Sequence, residues 1–313
     1  MDNTVLVTGG AGFIGQTLVN RLLLDQYRQV VLYDNFVTGH QSILNTDHPN
    51  LSIVSGDIRN RESLEHVLRQ YRPRLIYHLA ALHFIPYCNA HPEETLSVNV
   101  VGLQTLLSAC RQVPVERLVF ASTAAIYPIF EEANREDHPA APADIYGMSK
   151  YFGEKLVHRF SGDTGTLCTV GRFFNAYGPG ETNPHVIPEI MEQVKKGNTL
   201  KLGNLDPKRD YIYIDDMASA LDIIGRKSKA GYEVYNIGSG KEYSVRELVA
   251  VVESLVGRPL IISQDKQRMR RVERRHLLAD INKIGQQLNW QPSMTINEGL
   301  YDTLKAYDIP TLS

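Results

Sequence analysis

Thr4-Val5-Leu6-Val7-Thr8-Gly9-Gly10-Ala11-Gly12-Phe13-Ile14-Gly15 begins the stretch whose reading decides the fold, and the stretch closes at Asp34. A short apolar run ends in a glycine-rich turn. A helical pattern follows (Leu18, Val19, Leu22, Leu23), then a second apolar run, Val30-Val31-Leu32-Tyr33, and then the acid. The order is strand, glycine turn, helix, strand, acid. Glycine lets the backbone turn tightly and approach a ligand with no Cβ in the way. A helix starting there aims unpaired N–H groups and the positive end of its dipole at whatever sits in the turn. A pyrophosphate fits both features. An acid about 20 residues on, at the end of the next strand, suits a ribose diol and repels a 2′-phosphate. The stretch predicts a dinucleotide site for NAD rather than NADP.

Around it lie 313 residues, enough for one large domain or two ordinary ones, 43% hydrophobic and 22% charged. Such a chain can bury a sizeable core and is not disordered. With a net charge of −2, nothing global invites nucleic acid or an anionic membrane. Cys88, Cys110 and Cys168 have no CxxC spacing and read as reduced core thiols, with no disulfide framework and no metal site. Met1 leads almost directly into the first strand, and no apolar run approaches membrane-spanning length. The expectation is a soluble cytoplasmic protein.

Strands and helices alternate through the first half. Strands are expected over residues 51–54, 75–78, 117–121 and 167–172, with helices over 61–70, 93–111 and 149–160. This βαβ rhythm predicts an α/β fold with a doubly wound, Rossmann-type parallel sheet. Such sheets bind ligands beyond the carboxyl ends of their strands. Asp57-Ile58, Ala80-Ala81, Ser122-Thr123 and Phe174-Asn175 each follow an apolar run. From Phe173 onward Pro and Gly become frequent, and a helix over 186–196 stops at Gly197, a C-cap residue. The expected division is residues 1–172, with returns near 208–241, and a smaller α/β lobe over 173–313.

Tyr146 and Lys150 are four residues apart at a helix start, hence one turn apart on the same face. A nearby ammonium stabilises phenolate, so the tyrosine pKa is expected to fall toward working pH. That makes Tyr146 a candidate acid/base for an alcohol proton. Thr123, or Ser122, could hydrogen-bond the same hydroxyl. Hydride leaving the carbon and the proton leaving the oxygen would yield a ketone.

Several segments together resemble the extended short-chain dehydrogenase/reductases: the glycine turn, Gly56-Asp57, His78-Leu79-Ala80-Ala81, Ser122-Thr123-Ala124-Ala125-Ile126-Tyr127, Tyr146-x-x-x-Lys150, the Arg172 to Pro179 segment and the Arg209 to Asp216 segment. Within that family the likeness is to the UDP-glucose 4-epimerase group. The resemblance implies a nucleotide-sugar substrate, an isomerase activity and a tightly held NAD that is reduced and reoxidised within one turnover. By position, Gly9, Gly12, Phe13, Ile14 and Gly15 would form the pyrophosphate turn, and Asp34 and Asn35 would meet the adenosine ribose. Asp57 and Ile58 would meet the adenine, while Leu79, Ala80, Ala81, Asn99 and Ser122 would lie along the cofactor. Tyr146 would be the acid/base, Lys150 would hold the nicotinamide ribose, Thr123 would be the hydroxyl partner, and Phe174 would border the nicotinamide. Asn175 and Arg209 would meet the substrate phosphates, Arg270 would be a second diphosphate arginine, and Glu273 would meet the uridine ribose. His83, His185 and Val186 fall where the family places contacts to the sugar or the base. A homodimer is implied through a four-helix bundle built from the helices around residues 93–111 and 149–160.

Oxidation at C4 is common to epimerases, 4,6-dehydratases and decarboxylases. In relatives that dehydrate, an Asp-Glu pair follows the threonine after strand five, and decarboxylases keep the glutamate. Here those positions are Ala124 and Ala125, neither of which can transfer a proton. Epimerisation needs no further acid or base. The expectation is a UDP-hexose 4-epimerase, with an NDP-sugar 4,6-dehydratase as the alternative and a non-catalytic sensor of NAD and nucleotide sugar as a second class. Pro128 replaces the family's usual Gly, His83 stands where galactose-using relatives often carry Lys, and Arg270-Arg271-Val272-Glu273 replaces Arg-x-Gly-Asp. An N-acetyl, uronic or rarer hexose stays open.

Overall fold

The computed structural model describes residues 3–24, 29–38, 47–181, 183–229, 231–265 and 275–312. Its centre is β1 (Thr4–Thr8), buried at every position. The apolar run is the reason: a strand covered on both faces cannot alternate with polar residues. Helix α1 (Phe13–Leu24) follows the glycine turn and drives Leu18, Val19 and Leu22 into the core. Then come β2 (Gln29–Asp34), β3 (Leu51–Ser55), α2 (Arg61–Tyr71) and β4 (Leu75–His78). Asn60 caps α2 by accepting from the Ser63 N–H at 3.0 Å.

Residues 93–111 do not form one unbroken α-helix. After α3 (Ile85–Ala90) and α4 (Pro92–Leu96), a π turn (Ser97–Gly102) leads into α5 (Leu103–Gln112). The apolar spacing persists across the turn, which is why the sequence reads as continuous. Next come β5 (Arg117–Thr123), a 3₁₀ turn (Ala124–Ile126), α6 (Ile145–Thr164) and β6 (Leu167–Phe173). Helix α6 starts four residues before the expected 149, because the Asp144 carboxylate accepts from the Gly147 N–H at 2.8 Å and caps the first turn.

The remaining elements are β7 (Asn175–Tyr177), α7 (Val186–Lys196), β8 (Thr199–Leu202), β9 (Lys208–Tyr213), α8 (Ile214–Lys227), β10 (Tyr232–Ile237), β11 (Glu242–Ser244), α9 (Val245–Val256), β12 (Ile261–Gln264), α10 (Asn282–Leu288) and α11 (Ile296–Ala306).

Seven strands form one parallel sheet in the order β10-β6-β5-β4-β1-β2-β3. Strand order reverses between β1 and β4. Ligand crevices of doubly wound sheets open at that point, beyond the carboxyl ends of the strands. One core cluster packs α1, α8 and Ile284, Leu288 and Trp290 on one face of the sheet, and another packs α2, α5 and α6 on the other. A third cluster joins α7, α9 and α11 to a three-stranded sheet, β11-β9-β7, and to β8. Strand β7 follows directly on β6, and β9 leads directly into α8.

Candidate active site

At the end of β1, Gly9 has φ +72°, and a Cβ there would stand 2.5 Å from the Ala80 nitrogen. A Cβ on Gly15 would stand 2.1 Å from the Gly9 carbonyl oxygen. The turn therefore closes against the loop after β4 only because these positions are glycine. The Gly12 N–H donates to the Gly9 carbonyl at 3.2 Å, and the Gln16 N–H donates to the Gly12 carbonyl at 2.9 Å. That leaves the first-turn N–H groups of Phe13, Ile14 and Gly15 with no acceptor inside the helix. Asp34, half-buried at the end of β2, accepts from the Ala11 N–H and the Phe36 N–H, both at 2.9 Å. Its carboxylate is thereby fixed at the rim of the turn. Donors without acceptors, a turn too tight for side chains and one fixed anion fit a pyrophosphate followed by an unphosphorylated ribose.

Farther along the same edge, Arg59 grips Asp57 in a fork, 2.9 and 2.6 Å, and Asn35 reaches it at 3.5 Å. The guanidinium holds the Asp57 carboxyl down at about 2. Ile58 is buried against Gly102. Leu79 joins the β1 end by donating its N–H to the Thr8 carbonyl at 3.0 Å, and Ala80 and Ala81 continue along the rim. Asn99, on the π turn, is a clasp: its amide accepts from the Leu82 N–H (2.8 Å) and donates to the Leu82 carbonyl (2.8 Å) and to Ser149 Oγ (3.0 Å). It ties the loop after β4 to α6.

Tyr146 and Lys150 occupy the first turns of α6 and point at the end of β5. Thr123 hydrogen-bonds the Tyr146 phenol and accepts from the Ala125 N–H at 3.1 Å. Lys150 Nζ donates to the Ala121 carbonyl at 2.8 Å and lies 5.1 Å from the centroid of the Phe120 ring. The expected fall in the Tyr146 pKa is not found. Burial raises it, and the Thr123 hydrogen bond is the influence that lowers it. Burial pushes the Lys150 pKa down, to about 7. Ser122 donates to Glu154 Oε1 at 2.6 Å, farther along α6 than Tyr146, so Thr123, not Ser122, is the tyrosine's partner.

On the sugar side, His83 stands at the open mouth of the cleft and its Nε2 pairs with Asn183 Nδ2 at 3.0 Å. The protein packed around the ring, followed by the charges of His185 and Lys150, holds its pKa at about 4. His185 stands at the N-cap position of α7 with its side chain hydrogen-bonded to Glu181 instead of the helix, and its ring lies 6.4 Å from that of His83; Val186 opens the helix beside it. Phe174 is buried and leans on Tyr127 at 6.4 Å. Asn175 donates to the Asp210 carbonyl at 3.0 Å. Arg209, on β9, donates to the Lys208 carbonyl at 2.8 Å. Arg270 and Glu273 lie outside the described residues. No cluster of metal-ligating side chains occurs among the described residues.

Sequence reasoning missed Glu154, Arg172 and Asp210, all buried and charged. Asp210 accepts from the Ser239, Gly240 and Ala279 N–H groups at 2.7, 2.9 and 3.2 Å, which pins the loop after β10 under Arg209. Burial lifts its pKa to about 6. The available signal for Glu154 was its spacing, one further helical turn beyond Lys150.

Residues 6 to 303 match the family model described as GDP-mannose 4,6 dehydratase. The chain belongs to that family. It is one of the extended short-chain dehydrogenase/reductases, an epimerase/dehydratase fold group. A UDP-glucose 4-epimerase of Mycolicibacterium smegmatis is 31% identical, over 96% of this chain and 97% of its own. The solved UDP-glucose 4-epimerase of Thermus thermophilus, in complex with NAD, superposes with a TM-score of 0.89 at 30% identity, covering 97% of this chain and 99% of that one. The dTDP-glucose 4,6-dehydratase of Bacillus anthracis, also in complex with NAD, gives 0.88 at 29%, covering 97% and 96%. Family members that epimerise and that dehydrate are thus equally near, and the distinction rests on side chains. No described helix is long and apolar enough to cross a membrane.

Proposed function

We propose that this chain is an NAD-dependent nucleotide-sugar 4-epimerase acting on a UDP-hexose through a transient 4-keto sugar. The observation that carries it is the pair Ala124 and Ala125, placed directly after Thr123 in the 3₁₀ turn. A dehydratase must move a C5 proton and protonate a departing C6 hydroxyl, and these methyl groups can do neither. Bound NAD supplies the acceptor and donor of the C4 hydride. The residues of the chain do the rest. The N-terminal turn of α1 and Asp34 hold the dinucleotide by its pyrophosphate and ribose. Tyr146 exchanges the C4 hydroxyl proton, and Thr123 shares it by hydrogen bond. Lys150, fixed to the Ala121 carbonyl, reaches the ribose hydroxyls beside the tyrosine. Asn175, Arg209, Arg270 and Glu273 take the nucleoside diphosphate, while His83, His185 and Val186 line the sugar and base. Two chains pair through α4, the π turn and α6, where Leu96, Val101, Met148 and Phe152 are each about half exposed on the outer side.

The test is NMR of the purified protein in deuterated water with a panel of UDP-hexoses and no added reductant. The expected result is a C4 epimer with no deuterium on carbon. A keto sugar carrying deuterium at C5 would make the protein a dehydratase and leave the alanine argument wrong. A Tyr146→Phe protein that binds but does not turn over separates an enzyme from a sensor.

A further inference from the structure

Helix α6 meets β5 in three successive rungs. Tyr146, Lys150 and Glu154 lie at helical spacing on one face. They land on Thr123, on the Ala121 carbonyl and on Ser122 Oγ. The first two rungs belong to the chemistry already described. The third is an ion pair closed off from solvent: Glu154 is 2% exposed and Arg172 is 6% exposed. Arg172 Nε and Nη2 donate to the two oxygens of Glu154 at 3.0 and 2.9 Å, and Ser122 Oγ donates to the first of them at 2.6 Å. From the far side of the guanidinium, Nη1 donates to Tyr127 Oη (2.8 Å) and the Glu136 carbonyl (2.9 Å). Tyr127 Oη donates in turn to Asn236 Oδ1 at 2.7 Å. Ser122 and Arg172 are register partners on β5 and β6.

A buried ion pair contributes little net stability compared with well-packed apolar residues, whereas it does impose one geometry. What this pair holds in place is revealing. Ser122 immediately precedes Thr123, Tyr127 immediately follows the 3₁₀ turn, and Arg172 lies two residues before Phe174. The network stands at the carboxyl edge of the sheet, directly behind the reacting groups.

We propose that Glu154, clamped by Arg172, is a positioning residue for proton transfer: through Ser122 it locks the end of β5 to α6 so that Thr123 stays on the Tyr146 hydroxyl. It touches neither substrate nor cofactor. Its effect on rate rests on the roles proposed above for Thr123 and Tyr146, but the geometry it imposes does not.

The test is a cycle of Glu154→Gln and Thr123→Val in the NAD-loaded protein, with crystal structures alongside. Glutamine keeps the shape and loses the charge that holds the fork. The expected result is kcat lower by about 100-fold, the size of effect that follows a shift of about 1 Å, with KM for the nucleotide sugar changed less than about twofold. In the Thr123→Val background the same Glu154→Gln change should lower kcat by no more than about threefold, because its route to the reaction is already gone. An equal loss in both backgrounds, or a loss carried by KM, would overturn the proposal. Should Glu154→Gln not fold, Ser122→Ala removes only the link between the ion pair and β5. It should reproduce the kcat loss at about tenfold in a protein that still folds cooperatively, and an unchanged kcat there overturns the proposal as well. The structures give a readout that needs no substrate: Thr123 Oγ1 should move out of hydrogen-bond reach of Tyr146 Oη. If that separation opens but the wild-type protein turns over no UDP-hexose, the functional assignment fails and the positioning role stands. If it stays closed, the positioning role fails alone.

Discussion

Replacing Lys150 with methionine should make the protein more stable at neutral pH while removing its activity. The side chain is 3% exposed, and burial brings its pKa from 10.5 to about 7. At about 1.36 kcal/mol per pH unit this interval corresponds to a ceiling of about 5 kcal/mol of unfavourable burial of the charge, expressed in full below pH 7. The folded pKa lies below the unfolded one. Between pH 7 and 10.5 the unfolded chain therefore carries the extra proton, and stability due to this group rises with pH across that window. Methionine has a similar length and no charge. It gives up the hydrogen bond to the Ala121 carbonyl, and leaving that buried acceptor unpaired costs about 1–3 kcal/mol. The net expectation is a gain of about 2–4 kcal/mol at pH 6, falling by about 3 kcal/mol to roughly zero near pH 9. Urea unfolding of both proteins at pH 6, 7.5 and 9, after removal of bound nucleotide, measures it. Turnover should fall by at least about 100-fold at every pH, as expected for loss of a group beside the acid/base. A Lys150→Met protein that is less stable than wild type by the same amount at pH 6 and pH 9 would refute the reasoning, since the lysine would then be a packed, neutral or well-solvated group at both.

Three further outcomes follow from the geometry. Gly15→Ala places a Cβ 2.1 Å from the Gly9 oxygen; the start of α1 must move, and NAD affinity, read by fluorescence titration, should fall at least about tenfold, which is about 1.4 kcal/mol. Asp34→Asn keeps the size of a side chain held by the Ala11 and Phe36 N–H groups but drops its charge, so preference for NAD over NADP should narrow by about tenfold or more in competition binding. Phe152→Glu combined with Val101→Glu puts charge on the outward apolar surface of α6 and the π turn; light scattering should then report monomers where the wild type reports dimers, with the circular dichroism spectrum unchanged.

The sequence is most informative where a residue type has one physical use. The glycine turn between β1 and α1, with Asp34 in register, suits a dinucleotide, and the structure places the turn at the switch point of the sheet. Secondary structure was legible where burial dictates it, as in β4 over residues 75–78. Legibility ended where three-dimensional neighbours decide. The sequence suggests that Lys150 lowers the Tyr146 pKa, whereas burial raises the pKa of Tyr146 and lowers that of Lys150. Ser122 and Thr123 are equivalent candidates on paper and meet different residues of α6, Glu154 and Tyr146. Glu154 and Arg172 are 18 residues apart in sequence, and the packing of α6 against β6 brings them together. The early start of α6 was available in the capping residue Asp144, whereas the π turn leaves no mark on the apolar pattern.

That turn bears on how the family could change its chains. A π turn is an α-helix carrying one residue more than its hydrogen-bond ladder can use. Shortening the 97–102 segment by a single residue would restore the ladder and, taken locally, improve the helix. It would also rotate one half against the other by about 100°. With Leu103, Leu106 and Leu107 held in the core, Asn99 would swing away from Leu82 and Ser149, and the loop after β4 would come loose from α6. The surplus residue works like a gear tooth, letting one continuous helix mesh with the sheet at one end and with the cleft at the other. A chain lacking it would fold more smoothly and leave the cleft without its fastening.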